Sequence, residues 1–176
     1  MSYNAIISQR IVADAETEPV SLDEAKDWMS VDYDDKNDII TALITAARRL
    51  LERKYGIGIV EKDMKVVLNN SCGGHDLPEP PIAEVTAANS DGDAVELILS
   101  GDFDIYIDCP KCDKLTVTYK SGYPLAEVPE EYKTAIKQQV LWMFEHLGEE
   151  VAESQVSPMA AMTLAPYKRN TLGLFL

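Results

Sequence analysis

The segment that decides the fold is Pro19–Gly56, PVSLDEAKDWMSVDYDDKNDIITALITAARRLLERKYG. Ser21 and Glu24 have the spacing of a capping box, in which each side chain accepts a hydrogen bond from a free backbone N–H of the first helical turn. The sequence therefore predicts a short first helix that begins at Ser21. An acidic turn follows at residues 32–35, where Asp34 or Asp35 is expected to cap a second helix.

The second helix is predicted from apolar residues that recur with a period of 3.6, the spacing of an amphipathic helix. Four basic residues fill its last turns, where the helix dipole favours cations: Arg48, Arg49, Arg53 and Lys54. Gly56 then suits the left-handed position that ends many helices. The apolar stripe consists of Ile39, Ile40, Leu43, Ile44, Ala47, Leu50, Leu51 and Tyr55.

A third helix of the same kind is predicted from Pro129 to Gly148, since proline is favoured in the first helical turn. Its stripe (Tyr132, Ile136, Val140, Met143, Phe144 and Leu147) is interpreted as core, with a subunit interface as the alternative. Between helices two and three, short runs separated by turn residues predict a small antiparallel sheet. The predicted strands are 59–68, 82–88, 95–99, 103–108 and 115–119. A short fourth helix is predicted at 158–164.

The fold class that follows is α+β. Three main helices form a helical body, and the small antiparallel sheet is inserted between helices two and three; a short fourth helix and a C-terminal tail complete the chain. We expect a single domain over 1–176. Its parts are an N-terminal arm or edge strand (1–18), helices one and two (19–56), the β insertion (57–122), helix three (123–148) and the C-terminal segment (149–176).

The net charge of −14 is concentrated near the N-terminal end of the chain. Residues 14–38 contain ten acidic side chains and two lysines, a local net charge of −8. Because affinity for duplex DNA comes largely from lysine and arginine displacing counterions, specific or tight nucleic-acid binding is not expected. The acidic stretch is interpreted either as a solvated face that aids solubility or as a surface that DNA passes without sticking.

Membrane association and secretion are not expected. No run of eighteen apolar residues is present, and the first residues, MSYNAIISQRIV, have no basic region, long apolar core or cleavage site of a signal peptide. We therefore expect the protein to remain in the host cytoplasm where it is made.

The chain has three cysteines and two histidines. Four of these five residues form two closely spaced pairs, Cys72-x₂-His75 and Cys109-x₂-Cys112, both expected in turns of the β insertion. This is the spacing of a tetrahedral Cys₃His zinc site, which would be structural because all four positions are filled. A disulfide is the weaker interpretation in a reducing cytoplasm. The other alternative is that the two turns lie far apart and the thiols are incidental.

The sequence contains no complete catalytic motif, and we expect no enzymatic activity and no required cofactor. It has no phosphate-binding glycine loop and no nucleophile elbow. His146 follows Glu145 without the second histidine of a zinc-protease helix, and its position predicts that it caps the end of helix three. A metal-dependent hydrolase would need a ligand set with an open position, and no general base is evident beside the cysteines.

The order of these features resembles the tailed-phage head–tail connector (adaptor) family, small ring-forming proteins that lie beneath the portal. The resemblance covers roughly residues 19–170 and rests on five segments in sequence. They are PVSLDEAKDWMSVD, DDKNDIITALITAARRLLERKYG, LPEPPIAEVTAANSDGD, LTVTYKSGYPLAEVPEEYKTAIKQQVLWMFEHLGE and LAPYKRN.

The resemblance implies a structural, non-catalytic protein of a phage or prophage that completes the head during virion assembly. It implies a homo-oligomeric ring of about a dozen subunits with a channel for DNA passage. The ring would bind the portal protein on one side and a stopper or tail-completion protein on the other. Isolated subunits are expected to remain monomeric until the portal templates them, and the protein would be found in the virion. The two cysteine pairs and the apolar tail TLGLFL depart from the family pattern.

The best candidate for partner binding is the C-terminal segment, because the family's corresponding segment tends to dock onto the portal. Its apolar end would be costly to leave in water, so it either folds back on its own domain or enters a groove on another chain. Trp28 and Trp142 lie off their helices' main stripes and are candidates for the subunit interface. The candidate docking residues are Leu164, Tyr167, Lys168, Arg169, Leu172, Leu174, Phe175 and Leu176.

A rival function from another class also follows from the cysteine pairs. The chain would then be a zinc-braced protein-binding or regulatory module, in which the β insertion holds a peptide or protein. Metal content together with native mass distinguishes this module from a connector, since the connector forms a large ring and the module stays a zinc-loaded monomer.

Overall fold

Helix α1 (Leu22–Met29) begins as the sequence predicts. Ser21 is the N-cap, its hydroxyl accepts from the Glu24 N–H, and Glu24 accepts from the Ser21 backbone N–H at 2.8 Å. The Ser21 hydroxyl also donates to the Glu24 carboxylate at 2.8 Å, and these two hydrogen bonds from Ser21 hold the pKa of that carboxyl below its usual value. The capping box therefore stabilises the ionised form of Glu24 and fixes the start of α1.

Helix α2 (Asn37–Tyr55) ends at Gly56, whose φ of +66° is the left-handed conformation predicted for it. Its start differs from the prediction: the N-cap is Lys36 with no side-chain cap, whereas Asp34 accepts hydrogen bonds from Lys26 and Asn37. Arg48 also differs, because it is fully buried. The buried face of α2 combines most of the predicted stripe with one charged pair, Arg48 and Glu52. Two residues of that stripe differ from the prediction, because Ile39 is exposed and Leu43 is half-buried.

Helix α3 (Glu130–Glu145) follows its N-cap Pro129, and helix α4 is Pro158–Leu164 as predicted. Tyr132, Ile136, Val140 and Met143 of α3 are buried, which confirms most of that stripe as core. The helix packs against α1, α2 and α4. Short 3₁₀ turns lie at Leu125–Glu127 and Ala165–Tyr167. His146 caps α3, with Nδ1 2.7 Å from the Trp142 carbonyl oxygen.

The strands of the computed structural model, which describes residues 5–149 and 155–168, form one antiparallel sheet in the order β1-β2-β5-β3, with β4 also paired to β5. Their bounds are β1 Ala5–Ala13, β2 Lys62–Asp76, β3 Ile82–Ala88, β4 Ile98–Ser100 and β5 Tyr106–Ser121. The prediction of a small sheet inserted between helices two and three is wrong. Strand β1 precedes the helices, and β2 and β5 are 15 and 16 residues long.

Contacts divide the chain into two compact units. The sheet unit comprises residues 5–15 and 61–123, and its core is formed by inward-facing residues of β2 and β5 such as Met64, Val66, Leu115 and Val117. The helical unit comprises residues 16–60, 124–149 and 155–168. The helices are thus a body in their own right, and the sheet is a second unit that includes the N-terminal strand. None of the described helices is long and apolar enough to cross a bilayer.

Candidate functional site

The two cysteine pairs lie on neighbouring strands and not in turns, which corrects the predicted turn placement. Cys72 and His75 belong to β2, and Cys109 and Cys112 belong to β5. In the β2–β5 register, Gly73 is paired with Cys109 and Ser71 with Cys112. Cys72 therefore lies on β2 between Ser71 and Gly73, the two residues that are paired with the cysteines of β5. The fold brings together the backbones of both pairs.

His75 and Cys109 are buried in the sheet unit, with 9% and 5% of their surface exposed. The Nε2 atom of His75 has no hydrogen-bond partner. Burial lowers the pKa of His75, and the nearby charges of Asp108 and Asp76 raise it by less, so the neutral imidazole is favoured. Among the side chains that the structure describes, which exclude those of Cys72 and Cys112, no three metal-binding groups meet.

The β2 backbone beside His75 is closely covered by an aromatic ring. A Cβ added to Gly74 would lie 1.5 Å from the Tyr106 hydroxyl oxygen, so no larger residue fits there with the ring in place. On the β5 side, an open depression is lined by Glu96, Ile98, Asp108, Cys109 and Pro110. The backbone next to His75 on β2 is therefore closely packed, whereas the surface next to Cys109 on β5 is accessible to solvent.

The C-terminal segment begins with a helix whose surface is partly apolar. Met159 and Met162 of α4 are 60% and 79% exposed, whereas Leu164 is buried and its side chain is not on the surface. Tyr167 is 39% exposed and contacts Tyr132 edge to face. Lys168 is exposed. The other predicted docking residues, Arg169, Leu172, Leu174, Phe175 and Leu176, lie outside the described residues.

The segment leading into α4 is held by Gln139, a residue that sequence reasoning missed. Gln139 is fully buried. Its amide donates to the Gln155 carbonyl at 3.0 Å and accepts from the Ser157 N–H at 2.7 Å. The only signal in the sequence was a polar residue beside Val140 on the apolar stripe of α3. Gln139 therefore fixes the start of α4 against α3.

We expect Gln139→Leu to destabilise the helical unit by about 1–3 kcal/mol, because the buried Ser157 N–H loses its acceptor. Thermal unfolding followed by circular dichroism should show a loss of roughly 2–4 °C for each kcal/mol in a chain of this size. Gln138→Leu is the matched control, since the Thr163 hydroxyl that donates to Gln138 also reaches the Met159 carbonyl. Equal melting temperatures for the two variants would contradict the role of Gln139.

Trp28 and Trp142, the predicted interface residues, are each in contact with a neighbouring side chain. Trp28 is 42% exposed, and the Lys137 ammonium lies 5.2 Å from its ring centroid. The Trp142 ring stacks on His146 with centroids 4.6 Å apart. Both rings are partly accessible on the helical unit. Their role at a subunit interface stays a prediction.

The acidic stretch lies on the surface of the helical unit. Lys26 pairs with Asp34 at 2.6 Å, and hydrogen bonds from Lys26 and Asn37 lower the pKa of Asp34. Two acidic residues of the stretch are exceptions: Glu18 accepts a hydrogen bond from the buried Arg48, and Asp14 is half-buried and belongs to the sheet unit. The exposed acidic residues are Glu16, Asp23, Glu24, Asp27, Asp32, Asp34, Asp35 and Asp38.

Three solved structures share this fold over nearly the whole chain. A chain of the virion of a native gene transfer agent (GTA) particle has a TM-score of 0.75 at 14% identity, with 93% of this chain and 95% of that chain covered. A chain of the neck of an empty GTA particle, computed with C6 symmetry, has a TM-score of 0.75 at 11% identity. A chain of the neck of a native GTA particle, computed with C12 symmetry, has a TM-score of 0.73 at 13% identity.

Both neck comparisons cover 95% of this chain and 98% of the other. No protein-family model and no curated protein matches the sequence. The protein thus has the fold of GTA neck and virion chains, with both the sheet unit and the helical unit within the compared length.

Proposed function

We propose that this protein is a structural neck component of a phage-like particle, acting as the head–tail connector beneath the portal. The observation that carries the proposal is the fold likeness to GTA neck chains, which extends over 95% of this chain and 98% of theirs. Such coverage means that the compared chains have no large part that this chain lacks. The ordered sequence features that resemble the connector family lead independently to the same proposal.

In the proposed assembly, identical subunits form a ring of about a dozen copies, since a head-to-tail interface that closes generates a ring. The C6 and C12 symmetries of the two compared necks support this arrangement. The portal lies on one side of the ring, and a stopper or tail-completion protein lies on the other. The protein then acts in the virion, after assembly in the host cytoplasm, and has no catalytic role.

The exposed carboxylates of the helical unit support a role in DNA passage. A channel lined with acidic groups repels phosphates, so DNA moves through it without the counterion release that drives tight binding. We therefore propose that the acidic stretch at residues 16–38 contributes to the channel surface. The −8 charge of the wider 14–38 segment makes this stretch the strongest candidate on the chain.

The C-terminal segment is the proposed attachment site for the portal. Met159 and Met162 offer flexible apolar contacts on α4, and methionine side chains adapt well to a partner surface. The TLGLFL sequence of residues 171–176 continues this apolar character. Gln139 binds the backbone just before α4. Subunit stability therefore depends on Gln139, and attachment depends on the exposed residues of α4 and on residues 171–176.

The test is assembly with a purified portal ring from the same phage-like particle, followed by native mass spectrometry and electron microscopy. We expect a complex with about a dozen copies of this chain on each portal. Replacing residues 171–176 with a Gly-Ser sequence of equal length should abolish attachment and leave the circular dichroism spectrum unchanged. Attachment by that variant would contradict the docking assignment, and failure of the native chain to bind any neck or head component would contradict the function.

A further inference from the structure

We propose that the two open edges of the sheet unit join neighbouring copies of this chain, with β1 of one copy beside β4 of the next. This inference rests on the proposed ring and names the surfaces that form it. A contact between two different surfaces of the same chain is heterologous, and such contacts generate a ring when the rotation closes. All the strands involved belong to the sheet unit.

The two edges lie on opposite sides of the sheet. Among the described residues, β1 pairs with β2 alone, and β4 pairs with the side of β5 that faces away from β2. Since β2 and β5 lie between the edges, with about 4.8 Å between neighbouring strands, β1 and β4 of one copy do not pair with each other. Unpaired backbone groups at an edge are a template for another strand, so each edge is suited to a strand of a different copy.

The regular part of β1 is short. Residues 8–11 are paired with four consecutive residues of β2, whereas the register shifts between Ile6 and Ser8 and again between Ile11 and Ala13. Bulges of this kind bend a strand and limit pairing along its edge. About four residues of β1 are therefore available to a new strand, a length close to that of the three-residue β4.

Both edges expose large apolar side chains. Ile7 and Val12, at the two interruptions of β1, are 57% and 56% exposed, and Ile98 of β4 is 68% exposed. Two open depressions adjoin β4, one lined in part by Leu99 and the other by Ile98. Exposed apolar groups that lie together mark contact sites, and pockets beside an edge receive the side chains of an added strand. Ile7 and Val12 of the neighbouring copy are the side chains suited to these depressions.

The charges of the two edges are complementary. Arg10 of β1 is paired with Lys65 of β2, and none of the described carboxylates forms an ion pair with either side chain. Like charges directly opposite each other in a sheet are unfavourable, so an acidic surface beside this pair stabilises it. Residues 85–110, which include β4, contain six carboxylates and no lysine or arginine. All six are exposed: Asp91, Asp93, Glu96, Asp102, Asp104 and Asp108.

A second copy is the occupant that satisfies both edges at once. In a closed ring every β1 edge meets a β4 edge, so neither is left open to recruit further strands. A different partner at one edge would leave the other edge of the same chain unpaired. The contact uses no residue of the acidic stretch at 16–38, which stays available for the proposed channel surface.

Charge reversal tests the contact, with ring assembly on the purified portal as the readout. Glu96 is chosen because it lines both depressions beside β4. Arg10→Glu and Glu96→Arg should each weaken association between copies by roughly tenfold, because each places like charges together. The double variant Arg10→Glu, Glu96→Arg should recover most of that loss, since the two charges are exchanged. Arg53→Glu, on the exposed face of α2, is the matched control and should assemble normally.

Zero-length crosslinking measures the same contact directly. A carbodiimide joins the Lys65 amine to a nearby carboxylate as an amide and itself takes up the water that is released. Rings built from equal amounts of isotope-labelled and unlabelled chains then distinguish links between copies from links within one copy. We expect mixed-isotope peptides in which Lys65 is joined to Glu96 or Asp108.

The outcomes separate this contact from the neck function. Rings without such mixed peptides, or rings formed equally well by Arg10→Glu, would overturn the contact and leave the function intact. Links from Lys65 to the portal in place of a second copy would also overturn it. If the native chain binds no neck or head component, the function fails; the labelled mixture at high concentration without portal then decides the contact, which the absence of mixed peptides overturns.

Discussion

Replacing Arg48 with methionine is expected to remove about 3–5 kcal/mol of stability, because it leaves a carboxylate buried without its cation. Arg48 is fully buried, and the side chain of Glu52 is only 2% exposed. The guanidinium Nη1 donates a hydrogen bond to Glu52 at 3.1 Å. Nε and Nη2 donate to the two carboxylate oxygens of Glu18 at 2.7 and 3.0 Å. Since whole domains are stable by about 5–15 kcal/mol, the variant is expected to unfold at low denaturant.

Denaturant unfolding followed by circular dichroism tests this expectation. Arg53→Met is the matched control, because Arg53 is exposed on the same helix and should change stability by no more than about 0.5 kcal/mol. The stability loss of Arg48→Lys should lie between those of Arg48→Met and Arg53→Met. Lysine keeps the charge but cannot form the bidentate hydrogen bonds to Glu18. A loss below about 1 kcal/mol for Arg48→Met would mean that the network contributes no more than a surface ion pair.

The second large effect is expected in the sheet unit, where Lys62→Met should cost about 2–4 kcal/mol by leaving Glu79 without its buried partner. The Lys62 ammonium lies 2.7 Å from Glu79, with the two side chains 1% and 13% exposed. Glu79 also accepts from Gln9 of β1 at 2.9 Å. One carboxylate therefore connects β1, the start of β2 and the proline-rich loop at residues 77–81.

The same loop is fixed through its backbone, since the Pro78 carbonyl accepts from the Tyr119 hydroxyl at 3.0 Å and the Glu79 carbonyl accepts from Ser121. Lys114→Met on the exposed part of β5 is the control and should be nearly neutral. The double variant Lys62→Met, Glu79→Gln should lose less than the sum of its single variants, because the two side chains interact directly. Strict additivity would contradict the pairing.

The sequence correctly predicts the features that depend mainly on residues close together in the chain. The capping box at Ser21, the left-handed Gly56, strand Ile82–Ala88 and helix Pro158–Leu164 each depend on neighbouring residues and appear as expected. The lengths of β2 and β5 exceed the prediction because they depend on pairing between distant parts of the chain. Residues 69–75, NNSCGGH, have poor β propensity and become strand through pairing with β5.

Buried charge was the other feature that sequence reasoning did not predict. The helix dipole predicts Arg48 to be one of the basic residues at the end of α2, whereas its position in phase with Ile44 and Leu51 places it on the buried face. Lys62 likewise lies in phase with Met64, Val66 and Leu68, which form the core side of β2. Glu52 is only four residues from Arg48, but Glu18 is 30 residues away and the Glu79 partner of Lys62 lies beyond β2, so only the folded chain identifies these two partners.

The interrupted course of the helical unit has a consequence for synthesis on the ribosome. Helix α2 ends at Tyr55, and α3, which covers its apolar face, begins at Glu130. At 5–20 residues per second, roughly 4–15 s separate their emergence. During that interval the apolar face of α2 lacks the helix that packs against it, so the nascent chain is expected to recruit holding chaperones until its last third has been translated.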